Sequence, residues 1–536
     1  MASGLPVWEL QVLLEPWLEI SSEANLVVSS LCTDSRICQS GALFVCLFES
    51  IDSTVESYIR QAVEKGAVAV LSVVSIPHSV LSDDSVVGYV WSELKERWPE
   101  FVARYFDYPG AGIQLAAFTG TNGKTTCAWW LAQVIEHLGA PCGVLGTLGS
   151  GRVMSLQSTG YTTPDLLQLQ STLFHWREQG VRFGSLEASS HGIDQGRLDG
   201  VPLDVAVLTN LSRDHLDYHG SMEVYESVKA RLFEWPGLKH AVLNLDEPMS
   251  LRVIARLQAQ QQPFSTYRLD HGGVESDGVE SDGVESDDVE RVVDIASQAH
   301  QAVVVRVQDQ QTEGSSVVVK LSQGDHTETV MAQWPFFGAY NIQNASAVLV
   351  AAMTLGFSFQ KVVAALTHVA LPPGRMQSIS NPLNAKILVD YAHTPDALQK
   401  ALMACREVCS KRLVVLFGCG GDRDKGKRQA MGAVAGELAD HIILTNDNPR
   451  SESPQQIIEQ ILMGVPGAEG RVESISDRRE AIAVGVKQLQ SGDVLLVAGK
   501  GHESYQLVGT ERIEFDDVKE ITAVVASLGQ NEKQIN

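Results

Sequence analysis

Residues 120–126 of this 536-residue chain read GTNGKTT, and they follow the apolar run 115–118 and precede a helical pattern through residue 138. Strand, glycine turn and helix N-terminus together make a phosphate cradle. The glycines Gly120 and Gly123 let backbone N–H groups approach phosphates. The helix end adds positive potential, Lys124 can reach β- and γ-phosphates, and the Thr125 hydroxyl can hold Mg²⁺. The spacing is the short form G-x-x-G-K-T, with Phe118 where the longer pattern places a glycine. Thr121, Asn122 and Thr126 complete the candidate ATP-binding stretch.

Carboxylates and histidines come next. A short strand at 183–186 ends at Glu187 in EASSHG. Another at 205–208 runs into TNLSRDHLDYHG at 209–220. A carboxylate at the C-terminal end of a strand beside a P-loop can hold Mg²⁺. A histidine next to a carboxylate, as in Asp214-His215, serves as a metal ligand or as an orienter. Lys229 lies in the helical pattern 222–233 and, taken alone, reads as a solvated lysine. TTPD at 162–165 reads as a helix N-cap that can still present hydroxyls to a ligand. TDSR at 33–36 reads as a capped turn.

The elements that must position these groups follow from periodicity. Residues 58–74 alternate a helix with the strand 67–71, so the first domain, 1–110, is a small α/β unit. Residues 111–371 form a central P-loop domain with a mostly parallel sheet, and 147–165 read as a polar loop. In 372–536 three apolar strands (412–417, 441–444, 494–497) each end in a chemical motif: GCGGDR, DNPR and GKGHE. Strand C-termini of an open parallel sheet share one edge, so the three motifs can face one ligand. The glycines of GCGG are by themselves a weak dinucleotide signal, and no acidic ribose partner lies at the right distance. Residues 270–290 hold GVESD three times, from 273 to 287. That acidic, serine-rich repeat predicts a disordered surface insert.

Composition narrows the classes. Net charge is −24 and 44% of residues are hydrophobic. An acidic surface repels nucleic acid and anionic membrane, so neither is expected as a partner. Eight cysteines without a C-x-x-C pair fit a reduced, intracellular chain, and Cys405 and Cys409 read as packing residues. No basic N-terminal segment precedes an apolar run, and no run reaches the roughly 18 residues of a membrane span.

The set GTNGKTT, EASSHG, TNLSRDHLDYHG, GAYNIQNA (338–345), PGRM (373–376), DYAHTPDAL (390–398), GCGGDRDKGKR (418–428), DNPR (447–450) and GKGHE (499–503) resembles, in order, the cytoplasmic Mur ligases of peptidoglycan synthesis. The resemblance implies an ATP- and Mg²⁺-dependent amide-forming ligase, a cytoplasmic monomer, with UDP-muramoyl-substrate, ATP and Rossmann-like amino-acid domains in that order. It implies that Asn341 and Arg375 contact the nucleotide. Thr125, Glu187, His215 and Lys229, the last as an N6-carboxylysine, would hold Mg²⁺. Thr33, Ser35, Thr162, Thr163, Ser189, Gln195 and Arg197 match positions that hold the UDP-muramoyl-dipeptide. In the first domain the family's glycine- and histidine-containing loop is replaced by Glu49-Ser50-Ile51-Asp52-Ser53. DNPR resembles the diaminopimelate-adding version, with Arg423, Asp447, Asn448, Pro449, Arg450, Gly499 and Glu503 at the amino acid. Arg450 can grip bidentately a carboxylate that lysine lacks. A lysine-adding or folylpolyglutamate-type ligase and an inactive nucleotide-binding regulator are the alternatives.

Overall fold

The computed structural model describes residues 4–20, 26–81, 86–270, 298–311 and 314–535, with side chains through 528. The GVESD repeat lies outside the described residues. The chain divides into two compact units. One comprises residues 1–115, 163–183 and 191–202, and the other 116–162, 184–190 and 203–536.

The first unit is built on a four-stranded parallel sheet in the order Ser30–Cys32, Ala42–Cys46, Ala67–Ser72, Val87–Val90. Ala42–Cys46 is buried at every position, as a parallel strand covered on both faces must be. The helix Ser53–Glu64 starts where it does because the Asp52 carboxylate accepts from the N–H groups of Thr54 and Val55. The divergent segment 49–53 therefore caps a helix, and its Glu49 pairs with Lys95 at 2.5 Å.

The second unit contains two large sheets. The order in the eleven-stranded sheet is Ser155–Gln157, Gly149–Arg152, Cys142–Gly146, Phe183–Glu187, Gln114–Thr119, Val205–Leu208, His240–Asn244, Phe264–Asp270, Ala302–Gln311, Gly314–Gln323, His326–Trp334. Gln114–Thr119 through Ala302–Gln311 run parallel, and the last two strands add an antiparallel meander. The segment expected to be a polar loop after Gly146 instead folds into an antiparallel hairpin, Gly149–Arg152 with Ser155–Gln157. Its strands are only four and three residues long and the first, GSGR, is half glycine, so no alternating apolar pattern announces them. The P-loop helix, Lys124–His137, is buried along Cys127, Trp130, Leu131, Val134 and Ile135. Trp130 stacks on Phe336 at 4.3 Å and donates to the carbonyl of Ala370 at 3.0 Å. Each such buried large side chain contributes about 2 kcal/mol by leaving water, which holds the helix N-terminus in place.

The second sheet has six strands, not three: Gln377–Ile379, Lys386–Asp390, Val494–Ala498, Leu413–Phe417, His441–Leu444, Val472–Ser474. All but the first are parallel. The order brings four strand C-termini side by side, and the loops that follow them begin at Tyr391, Gly499, Gly418 and Thr445. The motif-bearing loops thus share one edge because of strand order alone.

Candidate active site

The phosphate cradle depends on two glycines in the left-handed half of backbone space, Gly120 (φ 148°) and Gly123 (φ 85°). A Cβ at Gly120 would collide with the Thr209 hydroxyl, and one at Gly123 with the Asn344 carboxamide. Asn122 donates its N–H to Asn210 Oδ1 at 2.9 Å, and the Thr121 hydroxyl accepts from the Ser212 N–H at 2.9 Å. The loop after Val205–Leu208 therefore braces the P-loop.

Lys124 donates to the carbonyls of Gly120 and Thr121, both at 2.9 Å. Burial lowers its pKa, against the opposing pull of Glu187 and Asp214. Thr125 donates to Glu187 Oε2 at 2.9 Å, and Thr147 donates to both Glu187 oxygens, through N–H at 2.8 Å and hydroxyl at 3.1 Å. A carboxylate touching the P-loop threonine hydroxyl is a hard-oxygen pair suited to Mg²⁺, which typically takes one or two carboxylates and completes its shell with phosphates and water. Among the described residues, no three His, Cys, Asp or Glu side chains converge as a ready metal cage.

Lys229 is not solvated. It is 1% exposed, donates to the Gly120 carbonyl at 2.8 Å and lies 4.5 Å from the Tyr225 ring centroid. Burial and then the Lys124 charge push its pKa well below the ordinary lysine range. His215 takes a left-handed backbone (φ 55°) and places Nε2 3.4 Å from Asp214 Oδ2. Asp214 also faces His393 Nε2 at 3.7 Å. Burial alone would raise the Asp214 pKa, but the hydrogen bond and charge of His393, with His215 and Lys427, lower it well below the carboxylate range. Asp214 and His393 thus join the two motif loops.

One cavity is lined jointly by Asn122, Gly123 and Thr126, by Asn341 and Asn344, and by Arg375, Asp390 and Lys400. Arg375 reaches the Thr125 hydroxyl at 3.3 Å and sits 4.5 Å from the Tyr391 ring centroid. Asn122 and Ser212 donate to Asp396 at 2.9 and 3.3 Å, and Lys400 pairs with it at 2.9 Å. Residues near 120, 210, 340, 375 and 396 are therefore one constellation. Of its members, Asp390, Tyr391, Asp396 and Lys400 lie in or just after DYAHTPDAL, yet sequence reasoning gave them no role.

The second constellation lies on the shared edge of the six-stranded sheet. Arg450, itself left-handed (φ 49°), donates to the Gly421 carbonyl at 2.7 Å. A Cβ at Gly420 would lie 2.9 Å from Arg450 Nη1 and 3.7 Å from Arg423 Cγ, so the Arg450 guanidinium and the Arg423 stem both lie beside Gly420. Asn448 donates to Glu503 at 2.9 Å, a Cβ at Gly499 would lie 2.7 Å from Asp447 Oδ2, and the Pro449 carbonyl accepts from Glu452 N–H at 3.0 Å. The Arg450 guanidinium with the Asp447 and Glu503 carboxylates on one edge suits a zwitterionic amino acid.

The remaining candidates fall in separate places. In the first unit, Thr33 and Ser35 line a pocket with Phe44, Phe48 and Tyr58, and Ser35 donates to Gln61 at 2.7 Å. Also there, Arg197 donates to the Thr163 carbonyl at 2.7 Å and to Gln195 Oε1 at 3.0 Å. In the second unit, the Thr162 hydroxyl meets that of Thr147 at 3.1 Å, and Ser189 lies two residues past Glu187.

A family model described as the Mur ligase middle domain matches residues 118–352, and one described as the Mur ligase glutamate ligase domain matches 374–501. A UDP-N-acetylmuramoyl-L-alanyl-D-glutamate–2,6-diaminopimelate ligase of Coxiella burnetii is 40% identical over 497 residues, covering 93% of this chain and 95% of its own. This chain belongs to the Mur ligase family. An enzyme of the same name from Janthinobacterium is 38% identical to this Mur ligase over 502 residues, 92% of one chain and 93% of the other. A solved structure of a ligase with that name superposes with a TM-score of 0.64 at 34% identity, covering 98% and 99% of the two chains. The Mur ligase is an ATP-dependent amide-bond ligase. Among its described residues no helix is long and apolar enough to cross a membrane.

Proposed function

We infer that this Mur ligase joins meso-2,6-diaminopimelate to the D-glutamate γ-carboxylate of UDP-N-acetylmuramoyl-L-alanyl-D-glutamate in peptidoglycan precursor synthesis. ATP goes to ADP and phosphate. The relatives named above carry that activity in their names. The observation that carries the reading is the Arg450 guanidinium, beside Gly420 on the edge that also bears Asp447, Asn448 and Glu503. Diaminopimelate differs from lysine by a carboxylate beside the distal amine. An arginine placed for that carboxylate is left unpaired by lysine, so the site both attracts one substrate and rejects the other.

The reaction needs positioning more than covalent catalysis. The γ-carboxylate oxygen attacks the ATP γ-phosphorus, and ADP leaves from an acyl phosphate. The neutral amine of diaminopimelate attacks that carbonyl, a proton is lost, and the tetrahedral intermediate expels phosphate. Gly120 to Thr126 would cradle the phosphates, Lys124 would pair with their charge, and Asn341 and Arg375 would hold the nucleotide. Thr125, Glu187, His215 and Lys229 would hold Mg²⁺, which neutralises phosphate charge when bound. Lys229 suits carbamate formation: a buried, deprotonated amine can add CO₂, losing one proton and turning from a base into an anion. Thr33 and Ser35 would meet the uridine end, and Thr162, Thr163, Ser189, Gln195 and Arg197 the muramoyl dipeptide. The enzyme would work as a monomer in the cytoplasm, where ATP and nucleotide-activated sugars are made.

The purified protein, given ATP, Mg²⁺ and the UDP-muramoyl dipeptide, should release phosphate on adding meso-diaminopimelate and far less on adding L-lysine. Equal rates would remove Arg450 as the selector.

A further inference from the structure

Lys500, the second residue of GKGHE, is fully buried at 0% exposure. A buried ammonium needs partners, and this one donates to Asn448 Oδ1 at 3.1 Å and Glu503 Oε2 at 3.1 Å and lies 5.7 Å from the Tyr505 ring centroid. Asn448 in turn donates through Nδ2 to the same Glu503 Oε2 at 2.9 Å, while its Oδ1 also accepts from the Leu507 N–H at 2.9 Å.

The chemistry of the donors fixes the orientation. An ammonium and a backbone N–H only donate. The Asn448 atom that meets both must therefore be the carbonyl oxygen, and the amide nitrogen must turn toward Glu503. One of its two hydrogens is used there, and Glu503 spends only Oε2 in this network. A Glu503 carboxylate oxygen and an Asn448 amide hydrogen remain for a ligand, at fixed positions.

We propose that Lys500 is a positioning residue for the amino-acid substrate, fixing the orientation of Asn448 and the carboxylate of Glu503 so that they receive the diaminopimelate zwitterion. The assignment rests on the reading above that this edge binds diaminopimelate. Lys500 acts through its two neighbours. It also pairs with Glu503 at 3.1 Å, so that carboxylate is held in place before substrate arrives.

The test uses the full chain, with diaminopimelate varied at saturating ATP and UDP-muramoyl dipeptide. Lys500→Gln and Lys500→Met should each raise the diaminopimelate KM at least tenfold, with kcat within threefold. The KM values for the other two substrates should stay within twofold. In Lys500→Gln/Glu503→Gln the diaminopimelate KM should rise no more than twofold beyond Glu503→Gln alone, because Lys500 acts through that carboxylate. A diaminopimelate KM unchanged in a folded variant, or effects that multiply in the double variant, would overturn the assignment. So would failure of both single variants to fold, since Lys500 would then hold the domain and not the site. Wild-type enzyme assayed in parallel separates the two readings. If it does not turn over diaminopimelate, the substrate reading fails; if it does and the variants match it, only the role of Lys500 fails.

Discussion

Lys124 and Lys229, 105 positions apart in the chain, place their side-chain nitrogens on one backbone oxygen, the carbonyl of Gly120, at 2.9 and 2.8 Å. Two buried ammoniums on one acceptor repel each other. Burial lowers the pKa of both, and Lys229, pushed also by the Lys124 charge, falls well below the ordinary lysine range. A neutral buried amine next to the phosphate cradle is a nucleophile for CO₂.

Lys229→Ala should therefore lower kcat/KM by about 100-fold or more, the scale of losing one preorganised electrostatic group. Wild-type enzyme supplied with ¹³C-bicarbonate should show a carbamate carbon signal that the variant lacks. A wild-type spectrum without that signal would count against the modification.

Arg450→Ala should cost about 2–4 kcal/mol in kcat/KM for diaminopimelate, as a charged, bidentate contact is lost. The KM for ATP should stay unchanged. Because Arg450 also holds the Gly421 carbonyl at 2.7 Å, Arg450→Lys should recover little. Steady-state kinetics with each substrate varied in turn reads both outcomes.

Glu187→Gln keeps the shape of the side chain beside Thr125 and Thr147 but removes its charge. The Mg²⁺ concentration giving half-maximal rate should rise about 10- to 100-fold. A Mg²⁺ titration unchanged from wild type would take Glu187 out of the metal site.

Asp396 collects Asn122 of the P-loop, Ser212 and Lys400 on one carboxylate. Asp396→Ala leaves these donors without that acceptor, at a cost of about 1–3 kcal/mol. The ATP KM should rise by roughly fivefold or more, and nucleotide protection against thermal unfolding should shrink.

His240, on the strand His240–Asn244, bonds to Ser265 at 2.8 Å and lies 5.5 Å from His300. Burial, with a smaller push from His300, lowers its pKa from 6.5 to about 4. Between those values the unfolded chain binds a proton that the folded chain refuses. The stability associated with neutral His240 is thus complete above pH 6.5 and declines as pH falls toward 4, by at most about 3 kcal/mol. Denaturant midpoints measured from pH 7 to pH 4.5 should fall less steeply in His240→Gln than in wild type.

The P-loop and the three motif-bearing strands were legible because each pairs a buried apolar run with a chemically loaded loop, a local pattern. The Gly149–Arg152 hairpin was not, since its glycines mask the period. Lys386–Asp390 escaped because the eye follows the motif after it. The burial of Lys229 and Lys500 was illegible for another reason. A lysine in a sequence looks solvated, and only the packing of distant loops shows that water cannot reach it. Asn122 and Asp396 stand 274 positions apart, and no periodicity encodes their contact.

The cavity proposed for the nucleotide draws its lining from both sides of residue 371, with Asn122 and Asn344 on one side and Arg375 and Lys400 on the other. A ligand held there is a removable cross-link. Its binding free energy is shared by two sheets, so it raises the stability of both. The nucleotide-bound enzyme should melt at a higher temperature than the empty one. In this sense ATP is fuel for the reaction and also a brace between two sheets of one compact unit.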